Sequence, residues 1–111
     1  MYNTRRGRYV TLRWHVRNMS TQPWPEKVQL IPTGGVGPVM PVNLNNVRLQ
    51  PDAVKLLQVR FQVPHEIKES LVVCEFALVD QSSGKTFGSP LSAMLEIGEA
   101  VPLKPHDQQS L

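Results

Sequence analysis

The sequence predicts an all-β sandwich of about seven antiparallel strands, and three observations carry that expectation. Apolar and polar residues alternate with period two in several segments, the pattern of strands with one face in a core and one in water. These segments recur at roughly ten-residue spacing, with Gly, Pro, Asn and Asp clustered between them. No stretch sustains a helical period. The chain of 111 residues has room for one domain with a useful core. Its 41% hydrophobic and 19% charged residues exclude a wholly disordered polymer.

Taken in order, residues 1–8 (MYNTRRGR) are polar and basic and predict a flexible arm. Residues 9–98 form the predicted sandwich. In its first strand Val10, Leu12, Trp14 and Val16 point inward, while Thr11, Arg13, His15 and Arg17 point to water. Residues 18–22 (NMSTQ) make a turn, and Trp24 to Ile31 alternates again with Trp24, Val28 and Leu30 inward. The stretch from Pro32 to Asn46 is too rich in Gly and Pro for a helix. It predicts a long loop with a short edge strand around Val39 to Val42. A short strand at Val47 to Leu49 and a turn at Pro51-Asp52 follow.

Val54 to Val63 is the strongest strand pattern, with Leu57, Val59, Phe61 and Val63 inward. After a polar connection at 64–70, Leu71 to Val79 is apolar on both faces, which predicts a central strand. Residues 81–85 (QSSGK) predict a hairpin turn with glycine at positive φ, and Ser92 to Ile97 closes the sheet. The polar, proline-bearing residues 99–111 predict a flexible tail.

Two tryptophans stand in a distinctive frame, Trp14-His15-Val16-Arg17-Asn18 and then Trp24-Pro25. The string WHVRNMSTQPWP resembles the core of the four-tryptophan (FW) domain, whose hallmark is a strand W-x-V-x-N, a turn, and W-P. That domain is typical of autophagy cargo receptors of the neighbour-of-breast-cancer-gene type. The similarity runs from about Gly7 to about Gly98. It includes the glycine-rich loop after the second tryptophan, Leu57 to Phe61 followed by Pro64, and Phe87-Gly88-Ser89-Pro90. The chain departs from the pattern in having two tryptophans rather than four: Phe76 stands where the third would lie, and the fourth falls near Ser92. The family's first strand, ahead of the turn resembled by Arg6-Gly7-Arg8, is missing or shortened.

The resemblance implies an immunoglobulin-like fold and a non-enzymatic protein-interaction module. Such a module recognises client or cargo proteins, as in selective autophagy or related intracellular adaptors. Alternatives from other classes are a structural building block of a larger assembly, filamentous or ciliary, and a basic nucleic-acid-associated domain. The expected structural core contains Trp14, Trp24, Phe61 and Phe76, because a buried indole contributes about 200 Å² of apolar contact.

The chemistry-bearing residues favour binding over catalysis. Cys74 is the only cysteine, so no intrachain disulfide forms, and a reducing compartment, cytoplasm or nucleus, is expected. Its apolar neighbours make it a packing residue rather than a nucleophile. His15, His65 and His106 are scattered, without metal-ligand spacing. The glycines at 34, 35 and 37 lack the lysine and helix of a phosphate loop. No cofactor, metal or catalytic residue is expected, and no apolar run approaches the ~20 residues of a membrane-spanning helix.

The net charge of +3 is unevenly spread: Arg5, Arg6, Arg8, Arg13 and Arg17 all precede the first acidic residue, Glu26. This cluster reads as a solvated basic face, a site for an acidic protein partner, or a nucleic-acid contact. Only Tyr2 and Tyr9 stand nearby as stacking aromatics, few for a nucleic-acid platform. The partner-binding candidates are therefore those five arginines together with Gly34, Gly35 and Val36, on the loop from Thr33 to Met40.

Overall fold

The computed structural model describes residues 1–38, 40–44 and 48–99. Seven strands appear among them and no helix: β1 (Tyr2–Arg5), β2 (Tyr9–Arg17), β3 (Val28–Gly34), β4 (Val42–Asn43), β5 (Val54–Gln62), β6 (Leu71–Asp80) and β7 (Lys85–Gly98). They form a five-stranded sheet in the order β1-β7-β6-β3-β4 and a two-stranded sheet of β2 and β5. Among the described residues, no helix is long and apolar enough to cross a membrane.

The alternation read from the sequence sets the inward face of each sheet. Leu12 on β2, with Leu57, Val59 and Phe61 on β5, is buried in one cluster with Val28 and Leu30 of β3. Cys74, Phe76 and Leu78 of β6 join that cluster, as do Ala93, Leu95 and Ile97 of β7. One core is thus shared by both sheets, each hiding one pleat face from water.

Several elements differ from expectation. Residues 1–8 are not simply an arm: β1 pairs with β7, Tyr2 opposite Leu95 and Arg5 opposite Gly98. That pairing is parallel, so the large sheet is mixed rather than antiparallel throughout. The third strand begins at Val28, and Trp24 is held ahead of it by a backbone bond from its N–H to the Leu49 carbonyl at 2.9 Å. The edge strand is Val42–Asn43, and Val39 lies outside the described residues. Arg48 and Leu49 are not in a strand, while Val47 lies outside the description. The last strand starts at Lys85, seven residues earlier than its alternation alone suggests. Residues 100–111, most of the expected tail, lie outside the described residues.

β6 is central, between β7 and β3, as its apolar run predicts. Its second face is not covered by another described layer, however, and Leu71 and Val73 are exposed. The turn between β6 and β7 carries Gly84 at φ 73°, the left-handed conformation that glycine adopts without a Cβ penalty.

Candidate functional site

Residues 18–27 carry the chain from the small sheet to the large one, and Asn18 organises the departure. Asn18 is buried, and its Nδ2 donates to the carbonyls of Gln22 (2.7 Å) and Leu49 (3.0 Å). Its Oδ1 accepts from the backbone N–H of Ser20 (3.0 Å) and from the Ser20 hydroxyl (2.8 Å). The full hydrogen-bonding capacity of the amide is used, as a buried polar side chain requires.

The two tryptophans do not stack on one another. Trp14 is half-buried, meets Phe76 edge-on at 5.4 Å, and donates its Nε1–H to the Ser92 carbonyl at 2.8 Å. Trp24 is buried and meets Phe87 edge-on at 5.6 Å. Each indole therefore ties one end of the β2–β3 connection to the large sheet, with a different aromatic partner. Phe61 and Phe76 are buried at the centre.

The arginines divide by role. Arg6 is spent on structure: its guanidinium donates to the carbonyls of Ile67 (2.6 Å), Gly98 (3.0 Å) and Lys68 (3.2 Å). Arg5 and Arg8 are exposed around the first turn, where the Arg8 N–H donates to the Arg5 carbonyl at 3.1 Å. Arg13 and Arg17 are exposed on the outward face of β2, and Arg17 lies 3.6 Å from Asp52.

The structure adds Arg60, opposite Thr11 on β5, with its guanidinium 4.2 Å from the Tyr9 ring centre. The outward row of β2 and β5 thus presents Arg13, Arg17 and Arg60, with His15, Tyr9, Leu56 and Val54 between them. Neither strand contains an acidic residue. That absence is visible in the sequence, but only the register shows that the cations of both strands share one face.

The loop Gly34 to Val36 packs against β6. Gly35 has φ 72°, and a Cβ there would collide with the Val73 carbonyl oxygen. Val36 packs on the core, and its backbone hydrogen-bonds the Cys74 thiol. Burial raises the Cys74 pKa above the ordinary thiol value of 9.0, and the Val36 hydrogen bond only partly opposes this. Such a thiol stays protonated and is a poor nucleophile.

His15 is exposed on β2, the His65 ring lies against Gly7, and His106 falls outside the described residues. Among the described residues, no group of three or more His, Cys, Asp or Glu side chains is placed to hold a metal ion.

Beside the basic face, an open groove of about 580 Å³ runs between the end of β2 and the first half of β7. Val16, Trp24, Leu78, Phe87 and Leu91 line it, with Arg17 and the exposed Met19 at its rim. Sequence reasoning missed this feature because Phe87 and Leu91 precede the predicted start of the last strand. The chain matches no protein-family model and no curated protein sequence.

Proposed function

We propose that this chain is an immunoglobulin-like sandwich of the FW type, acting as a non-enzymatic module that recognises client or cargo proteins. The strand order supports the fold reading. β7-β6-β3 flanked by β4 corresponds to the G-F-C-C′ sheet of such sandwiches, and β2–β5 to the B–E pair of the opposite sheet. A short strand ahead of the Arg6-Gly7-Arg8 turn, β1, is compatible with the first strand that the FW resemblance implies. The W-x-V-x-N…W-P frame acquires a physical role in the bonds of Asn18 and the two edge-on aromatic contacts.

One observation carries the functional reading: the outward face of β2 and β5 is cationic, free of acidic residues within its strands, and interspersed with exposed Leu56, Val54 and Tyr9. An acidic protein surface with some apolar side chains is complementary to such a face. Phosphate backbone is less so, because the Tyr9 ring is already covered by Arg60. A cytoplasmic adaptor role, as in selective autophagy, follows from the resemblance.

The test is affinity capture from cells with the intact chain and an Arg13→Glu, Arg60→Glu variant. A stoichiometric protein partner retained by the native chain and lost from a folded variant is expected. Equal capture by both would remove the face from the recognition surface.

A further inference from the structure

The free edge of β2 deepens this reading, on which it depends. In an antiparallel pair each residue turns its N–H and C=O to the same side, and successive residues alternate. Arg8 and Asn18 bond β5 and its flanks through Val63 N–H to Arg8 O and Asn18 N–H to Ala53 O. Arg13, of opposite parity, bonds instead to Tyr2: its N–H donates to the Tyr2 hydroxyl at 2.8 Å, and that hydroxyl donates back to the Arg13 carbonyl at 3.1 Å. His15 and Arg17 share Arg13's parity, so their backbone groups point away from β5. β2 has no other strand partner among the described residues. The Tyr2 hydroxyl therefore caps the edge at Arg13 and leaves it open from His15 to Arg17.

That open edge borders the groove. Next to Leu91 of the groove, Ser92 of β7 has its carbonyl engaged by the Trp14 indole. An added strand beside His15–Arg17 would alternate its side chains between two surroundings. One set enters the groove against Trp24, Phe87 and Leu91. The other lies on the outward face beside Arg13, His15 and Arg17. The exposed Arg17–Asp52 pair at 3.6 Å is weak enough to yield a donor to a new carboxylate.

We infer that the free edge of β2 is a strand-addition site. Its occupant is a short extended protein segment in which acidic residues alternate with apolar ones. Main-chain hydrogen bonds to His15 and Arg17 supply the attachment, and the alternating side chains supply selectivity. Arg13 and Arg17 select for carboxylates, and the groove selects for apolar side chains.

A fluorescein-labelled heptapeptide alternating glutamate and leucine, titrated into the full chain and read by anisotropy, tests this. Saturable binding below roughly 1 mM is expected, the weak end of specific association. Methylating alternate backbone nitrogens of the probe should weaken it about tenfold in one phase of alternation and little in the other. His15→Pro removes an edge N–H without touching the β5 ladder and should cost a similar factor.

No binding by 1 mM probe, or indifference to N-methylation in both phases, overturns the inference. So does stoichiometric displacement of the probe by a single-stranded oligonucleotide. Repeating the cellular capture with His15→Pro separates the two readings. Partners retained equally by that variant leave the module standing and sink the edge site, whereas no partner for the native chain sinks the module.

Discussion

Arg5 and Arg6 are chemically alike and adjacent, yet Arg5 ends β1 while Arg6 opens the turn that follows it, and the two do different work. Arg5 is exposed, while the Arg6 fork reaches three carbonyls and joins the 64–70 connection to the end of β7. Arg6→Ala should lower stability by about 1–3 kcal/mol, and Arg6→Lys should recover only part of that, because an ammonium cannot reproduce the planar fork. The urea midpoint at constant slope reads the difference, and an Arg6→Ala curve superimposable on Arg5→Ala would contradict it.

Cys74 yields a pH prediction at the same scale. Its folded pKa is raised, so the native state holds the thiol proton after the unfolded chain has released it. Stability from this group is complete below the unfolded thiol pKa and is lost as pH climbs through the folded one. The loss proceeds at no more than about 1.4 kcal/mol per pH unit. The stability difference between native chain and Cys74→Ala should therefore shrink as pH rises past the ordinary thiol value of 9.0. A constant difference across that rise would contradict the assignment.

At the scale of elements, what was legible followed from period two. Leu57, Val59, Phe61 and Val63 are all buried, as alternation requires, and Gly84 sits at positive φ in the predicted turn. What was not legible depends on pairing between distant segments. Tyr2–Arg5 is too short and polar to announce a strand, and it becomes one because β7 offers an edge at Leu95–Gly98. The groove was hidden for the same reason, since Val16 and Phe87 meet only through the packing of two sheets. That Gly35 abuts the Val73 carbonyl, and so seats the glycine loop on β6, is likewise invisible in the sequence. Gly35→Ala combines a disfavoured φ with a backbone collision, so a loss above about 1 kcal/mol is expected, with Gly84→Ala as the comparison. Gly84 shares the positive φ but has no atom within 4 Å of an added Cβ. Equal losses at the two positions would leave strain as the whole cause and remove the collision.

For the whole molecule, the two outer faces differ in kind, and the difference decides between a freely exchanging module and a block built into an assembly. One face is the cationic row of β2 and β5. The other, on the large sheet, carries Leu71, Val73 and Met94, with Val73 opposite Met94 in the ladder and Glu75 and Glu96 beside them. These three side chains are 54%, 44% and 38% exposed, so together they offer at most a few hundred Å² of apolar surface, within what monomers ordinarily show. A stable interface buries about 800 Å² on each partner. The stripe falls well short, and the net charge of +3 adds mutual repulsion between copies. Sedimentation equilibrium at tens of micromolar should accordingly return the 12.5 kDa mass of a single chain. It should do so unchanged for Val73→Lys, which breaks the stripe at its middle. A dimer mass for the native chain that falls to monomer in Val73→Lys would show that a larger surface closes over this sheet, and would favour the building-block reading over the exchanging module.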